Sequence, residues 1–210
     1  MSRLRTFRSR ILTQMALPLI AIMAVVLSVN AWFNYQAEER DIYAHLGQKA
    51  ENVALRIQHF LQGAETNTAS IADFLAQADK QQLLADKNKL HDILTRRLDR
   101  HPDYYGSAIA FQRFFIEDRE LYAPYVYRND GQIESLDIGV DSYDYTNGDW
   151  DWWSKAIVNQ NGFWSEPYLD EGASDVMMIS YSLPFGQSPS FDGVVTVDLG
   201  LNNLPKMVET

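Results

Sequence analysis

The residue types that could do chemistry in this sequence gather in two short stretches. Tyr143-Asp144-Tyr145-Thr146-Asn147-Gly148-Asp149-Trp150-Asp151-Trp152-Trp153 alternates rings with carboxylates, and Trp164-Ser165-Glu166-Pro167-Tyr168-Leu169-Asp170-Glu171-Gly172 answers it downstream. Trp is usually highly buried but seldom fully, because its indole N–H needs an acceptor. Trp150, Trp152 and Trp153 therefore do not all suit a hydrophobic layer. Interleaved with Asp, they predict a lined pocket or its rim; the plain alternative is a loop packed down by its rings with its acids in solvent. Two carboxylates facing one ammonium make charge-assisted hydrogen bonds, stronger than neutral ones. Faces of Trp and Tyr add cation–π attraction of ~0.5–2 kcal/mol. A buried Asp pair without a cation raises one pKa by mutual repulsion, so the natural guest is an amine or a quaternary ammonium ion.

Other chemistries fit less well. Asp144, Asp149, Asp151, Glu166, Asp170, Glu171 and Asp175 could supply oxygen ligands for calcium. However, Asp149-Trp150-Asp151 is not followed by the Gly and terminal Glu of a calcium loop. Paired carboxylates could serve a hydrolase, but the sequence has no Ser–His arrangement, phosphate-cradling Gly loop or zinc motif. Gly186-Gln187-Ser188-Pro189 reads as a loop, and His91 and His101 as isolated surface histidines. The chain has no Cys, which excludes disulfides, thiolate metal sites and Cys nucleophiles. The expectation is a binding module with no catalytic site, no metal and no cofactor.

Charge separates the chain into two parts. Arg3, Arg5, Arg8 and Arg10 precede Phe33 with no acid among them, so the body beyond is more acidic than the net of −10. That argues against a nucleic-acid partner, which needs a basic footprint, and favours cationic ligands at long range. Ile11 to Phe33 carries no charge; as a helix of about 23 residues at ~1.5 Å each it spans ~34 Å, enough for a ~30 Å hydrocarbon core. Trp32 and Tyr35 sit where an interfacial belt belongs, and Pro18 is a candidate kink. The preceding arginines predict an N-terminus inside and everything after Phe33 outside. In a Gram-negative cell that is a single-pass inner-membrane anchor with a periplasmic body. A cleavable signal peptide is the alternative, with Val29-Asn30-Ala31 as a weak site, but the apolar run exceeds the usual ~7–15 residues.

Residues 34–78 predict one long amphipathic helix, with Ile42, Leu46, Val53, Ile57, Phe60 and Leu61 at three- to four-residue steps. A helix leaving a membrane span can form a stalk and pair with a second copy, so a homodimer is expected. A second helix is predicted from about Asp79 to His101, ended by Pro102. Short β-rich runs follow at Tyr105–Gln112 and Leu121–Arg128, and Asn129-Asp130-Gly131 is a turn signal with Gln132–Ile138 as its return strand. Asp149 is expected to cap a short helix through Trp152 and Trp153 to Val158, ended by Asn161-Gly162. Runs at Phe163–Pro167, Val176–Phe185 and Gly193–Leu199 complete an antiparallel meander. The fold class is α+β, one sheet face covered by the long helix and the other carrying the aromatic–acid loops. The expected division is a basic N-terminus at 1–10, a span at 11–33, a helix at 34–78, a sensor-like domain at 79–204 and a truncated linker at 205–210.

The order of these pieces resembles the Cache sensor domain, an extracytoplasmic relative of the PAS fold. The resemblance rests on Tyr122-Ala123-Pro124-Tyr125-Val126-Tyr127-Arg128, the Asp149–Ala156 helix with its D-W-x-W-W-x-x-A pattern, and Trp164–Asp170. Met178–Phe185 and Gly193–Leu199 continue it, so that it covers about residues 34–204. It implies the membrane-distal half of a double Cache domain in a bacterial transmembrane receptor. Such domains precede phosphatase, cyclase, kinase or chemotaxis modules, so the chain is expected to be a truncated product, a fragment or a protein that works by partnering. Amino-acid-sensing members hold the ligand's amine with acids and aromatics and its carboxylate with an Arg. By that resemblance the amine-side positions are Tyr168, Asp170 and Asp198, and Trp152, Trp153 and Tyr145 contribute around the helix. Trp150 stands where the carboxylate-binding Arg would be, and Arg128 could replace it only if the fold brings it near. The ligand implied is an amine that needs no carboxylate.

Overall fold

A computed structural model describes residues 2–79, 83, 88–116, 119–171, 174–187 and 190–203. Much of the first half of the predicted second helix, and the 205–210 linker, lie outside them. The chain divides into two compact units, residues 1–55 and 56–210.

Helix α1, Ser2–Gln77, runs unbroken through Pro18. The first unit is helical, and between Gln14 and Phe33 its apolar side chains, among them Leu17, Ile20, Val25 and Trp32, are exposed. A window of mean hydropathy 2.1 makes this helix long and apolar enough to cross a membrane.

In the second unit α2, Lys89–Arg100, presents Leu90, Leu94 and Leu98 at four-residue spacing to the core. His101 caps it and Pro102 follows, as the missing N–H of proline requires. Then come β1 (Gly106–Phe111), β2 (Pro124–Asn129), β3 (Gln132–Asp137), the single turn α3 (Ile138–Asp141) and α4 (Asp151–Asn159). The last strands are β4 (Phe163–Trp164), β5 (Tyr168–Leu169), β6 (Met177–Gln187) and β7 (Ser190–Gly200). They form one antiparallel sheet in the order β3-β2-β1-β7-β6-β4, with β5 also on β6. The Asn129-Asp130-Gly131 signal is a two-residue hairpin turn, with Asp130 at φ 48° and Gly131 at φ 82°.

Period-two alternation divides the strands between two layers. Ile109, Phe111, Val126, Phe185 and Val195 pack under Ala72 and Leu75 of α1 and the α2 leucines. Val197, Leu199 and Tyr104 continue that layer beneath Ala64. On the opposite face, Ala108, Ala110, Tyr125 and Val194 meet Tyr145, Trp152, Trp153 and Ala156. The α+β expectation, with helices on one face and the aromatic segment on the other, holds.

Two local expectations do not. Asp149 does not cap α4: the N-cap is Trp150, with no side-chain bond. Asp149 is instead held in a tight local loop, its N–H and carboxylate both bonded to Asn147 at 2.9 Å, across Gly148 at φ 94°. At the other end the left-handed residue is Gln160 (φ 57°), not Gly162. Gly162 has a steric role: a Cβ there would lie 1.8 Å from the Tyr181 hydroxyl.

Candidate functional site

Asp198 lies on β7, opposite Gly106 of β1 and Ser180 of β6, with its carboxylate on the aromatic side of the sheet. Only 4% exposed, it accepts a 2.6 Å hydrogen bond from the Ser180 hydroxyl, which is 2.8 Å from the Tyr168 hydroxyl. Asp170, at the end of β5 and 3% exposed, accepts from Tyr143 at 2.9 Å and Ser174 at 2.8 Å. Both carboxylates line one cavity with Tyr125, Tyr143, Trp152, Tyr168, Thr196, Ala108 and Ile138. The side chains leave about 10 Å³ between them, room for about one water. Any larger guest must part the walls.

Burial governs the charges. It pushes the Asp198 carboxyl up to about 6, assisted by repulsion from Asp170 and opposed by hydrogen bonds from Ser180 and Thr196 and by Arg97. Asp170 is raised by the same desolvation, against bonds from Ser174 and Tyr143. The phenols of Tyr125, Tyr143 and Tyr168 are raised by burial beside these acids, so they stay protonated donors. Two buried donors of the lining lack a hydrogen bond of normal geometry, the Tyr125 hydroxyl and the Trp152 indole N–H; Ser174 and Tyr143 are within reach of them. Gly106 lets the groups converge: a Cβ there would lie 2.4 Å from Tyr125 Oη and 2.9 Å from Asp198 Oδ2.

Of the seven positions the sequence singled out, four meet here: Trp152, Tyr168, Asp170 and Asp198. Trp150 stands just outside, stacked on Tyr143 with centroids 3.9 Å apart. It lines an outer cleft of about 200 Å³ with Asp149, Asp151, Glu166 and Pro167, and Trp152 and Tyr168 form the partition between the two spaces. Tyr145 and Trp153 do not reach the cavity. Tyr145 is fully buried and donates to the carbonyl of Phe111 at 2.7 Å, with that of Tyr122 at 3.2 Å. Trp153 packs edge-on against its ring. Trp164 turns to the opposite face, where its indole N–H donates to Glu65 of α1 at 2.8 Å.

Arg128 is no substitute for the missing Arg, because its guanidinium is spent on backbone carbonyls of Leu98 and Tyr104 at the end of α2. The remaining acids of the first stretch pair locally, Asp144 with Arg113 and Asp151 with Lys155. Among the described residues no three His, Asp or Glu side chains gather as a metal site would require. A larger hollow, about 850 Å³, lies at the β3 edge around Arg119, Asp137 and Asp141. Its Arg119 is 3.6 Å from Asp137, and no orphaned buried donor lines it among the described residues, so the smaller cavity is the candidate site.

The seven positions leave out Tyr125, Ser180 and Thr196, and also Tyr143, although it opens the first ring–acid stretch. The signal was present: Ser180 and Ser182 on β6, and Thr196 and Asp198 on β7, place polar groups at every second position of otherwise apolar strands.

Residues 90–206 match the family described as methyl-accepting chemotaxis protein-like, first PDC sensor domain. Among solved structures, the extracellular domain of a histidine kinase designated soHK1S-Z6 is 46% identical at TM-score 0.79, over 84% of this chain and 66% of that one. A structure named methyl-accepting chemotaxis protein X is 22% identical at TM-score 0.58, over 75% of this chain and 63% of that one. The ligand-binding domain of the Campylobacter jejuni chemoreceptor Tlp3 in complex with L-valine is 16% identical at TM-score 0.57, over 77% of this chain and 60% of that one. The last two likenesses concern the fold alone. The chain thus spans less than two thirds of the length of these solved domains. No protein of curated function matches it.

Proposed function

The chain belongs to the family of methyl-accepting chemotaxis protein-like first PDC sensor domains, and on that footing we propose that it senses a small amine or quaternary ammonium ligand between Asp170 and Asp198. The observation that carries this is the pair itself: two carboxylates at 3% and 4% exposure face one cavity whose lining contains no Lys or Arg. Removing two like charges from water together is costly, and a cation between them offsets that cost. Trp152, Tyr168 and Tyr143 supply ring faces, and Trp150 walls the outer cleft that leads to them. Tyr145 and Trp153 hold that wall from behind.

The remaining parts of the reading follow the family and the charge pattern. Ile11–Phe33 tethers the domain to the inner membrane with the four arginines inside and the sheet outside. The domain is the membrane-distal half of a double sensor, α1 pairs with that of a second copy, and a histidine kinase or chemotaxis module receives the signal. The domain itself catalyses nothing.

A second reading has its own support. The unpaired Trp152 N–H and Tyr125 hydroxyl would suit an acceptor on the ligand, so that a zwitterionic amino acid could use the acids for its amine and these donors for its carboxylate. The full chain in detergent micelles, screened by thermal shift against amino acids and their decarboxylated amines, decides between them. An amine that stabilises as well as its parent amino acid supports the first reading, and a response to amino acids alone supports the second. A response to carboxylates lacking any amine refutes both.

A further inference from the structure

Arg97 turns inward from α2 to 6% exposure, whereas Arg96 and Arg100 on the same helix stay in solvent. A buried arginine ordinarily meets a carboxylate, yet among the described residues none lies within ion-pair distance of it. Its guanidinium spans three elements instead. Nη2 donates to the Thr68 hydroxyl of α1 at 2.7 Å, and Nη1 to Ser107 Oγ of β1 at 3.2 Å and to the Thr196 carbonyl of β7 at 3.4 Å. Burial draws the group down to about 10, with Tyr104 and Asp198 acting to keep it charged.

The sheet is open at the point it touches. β1 and β7 pair Gly106 with Asp198 and Ile109 with Val195 in one register, but Ser107 and Ala108 between them pair with Val126 and Tyr125 of β2 and have no ladder partner on β7. Side chains fill that gap in the ladder. Ser107 Oγ donates to the Thr196 carbonyl at 2.6 Å, and Thr196 Oγ1 accepts the Ala108 N–H at 3.0 Å. The guanidinium covers the gap from the helix side, and Asp198 stands two residues along β7 on the cavity side. Facing Asp198 from the cavity are the phenols of Tyr125, Tyr143 and Tyr168, which do not ionise, and the carboxylate of Asp170. Arg97 thus sits one hydrogen bond from the Thr196 carbonyl, two residues from Asp198, and its positive charge acts on that carboxylate with little water to screen it, both groups being buried.

We infer that Arg97 is the positioning residue behind Asp198, and that it ties this carboxylate to α1 through Thr68. When a cation or an uncharged substitute removes the charge of Asp198, Arg97 loses a counter-charge that acts on it and redistributes its hydrogen bonds among Thr68, Ser107 and Thr196. α1 feels the change at Thr68, one turn from Ala64, the core residue whose carbonyl that hydroxyl also bonds at 2.7 Å. The tie exists before any ligand arrives, so it can be tested without one.

The experiment is amide hydrogen exchange of α1 residues 64–70 in the full chain in detergent micelles. Asp198→Asn is expected to alter exchange there by about twofold or more, the low end of coupling between interacting residues. The same substitution should have no effect on α1 when Arg97→Met or Thr68→Val is also present, and Arg97→Lys should restore part of the response. Arg97→Met should also move the carbon-detected titration of Asp198 to higher pH, which a merely space-filling arginine would not do. An equal response with and without Arg97, or none at all, overturns the inference. If Arg97→Met fails to fold, Thr68→Val decides alone, because it cuts the link to α1 and leaves the Arg97 charge with its bonds to Ser107 and Thr196. A failure of the amine reading would leave these results untouched, and their failure would leave that reading standing.

Discussion

The rings of Tyr143 and Trp150 stack with centroids 3.9 Å apart and planes within 16° of parallel, while the Tyr143 hydroxyl reaches inward to Asp170. One pair of side chains thus joins the outer cleft to the inner acids. An arginine at 150 would bring a guanidinium to the same rim. Trp150→Arg is expected to shift preference toward amino acids over their decarboxylated amines by about tenfold or more, the usual size of a hydrogen bond to a charged group. Paired calorimetric titrations of wild type and variant measure it, and an unchanged ratio would count against Trp150 facing the ligand.

Asp198 gives stability and affinity opposite pH slopes. Its carboxyl stands at about 6 in the fold and near 3.9 when unfolded, so between those values the native state holds the extra proton. Stability therefore falls as pH rises from about 4 to 6, by up to roughly 3 kcal/mol. Amine affinity grows over the upper part of that range as the carboxylate ionises. Asp170 and Asp137, also raised by burial, contribute slopes of the same sign. Melting curves of wild type and Asp198→Asn across this range isolate the residue: the variant should lose most of the slope, melt higher at neutral pH and bind no amine.

Tyr145 is a strut. Removing its hydroxyl takes a 2.7 Å hydrogen bond from the buried carbonyl of Phe111, while the carbonyl of Tyr122 keeps the Phe111 N–H, at a cost of about 1–3 kcal/mol. Tyr145→Phe should lower the melting temperature and leave amine affinity within about twofold, since the ring stays in place against Trp152 and Trp153. A large loss of affinity at unchanged stability would place Tyr145 in the site after all.

Gly106→Ala tests how closely the site is built. The added methyl would meet Tyr125 Oη at 2.4 Å and Asp198 Oδ2 at 2.9 Å, too near for either to remain. Overpacking of this kind costs about 1–3 kcal/mol, and the displaced Asp198 should weaken amine binding as well. Thermal melts and titrations of the same preparation read both losses; loss of neither would mean that the close approach of Tyr125 and Asp198 to Gly106 is dispensable.

The parts of the fold that depend on neighbours in sequence were legible. Asn129-Asp130-Gly131 announces its hairpin because only residues tolerant of positive φ make that turn. Leu90, Leu94 and Leu98 declare the buried stripe of α2, and alternation declares most of the strands. What was not legible depends on partners far along the chain. Nothing near β7 says that it lies between β1 and β6, and that placement is what brings Asp198 opposite Gly106. Tyr145 and Trp152 look alike as pattern, two aromatics beside acids, yet the carbonyls of Phe111 and Tyr122 claim one for the core while the other faces the cavity. The face Trp164 takes was not legible either, because the register of a two-residue strand decides it.

Ala108 forms part of the floor beneath Trp152 and carries no charge, donor or acceptor on its side chain. The bore of the chamber is therefore set by a different part than the lure inside it. Adding a methyl or two at 108 would narrow what fits, and a glycine there would widen it, with both acids left as they are. Width and charge at this cavity are therefore separable by substitution at one position.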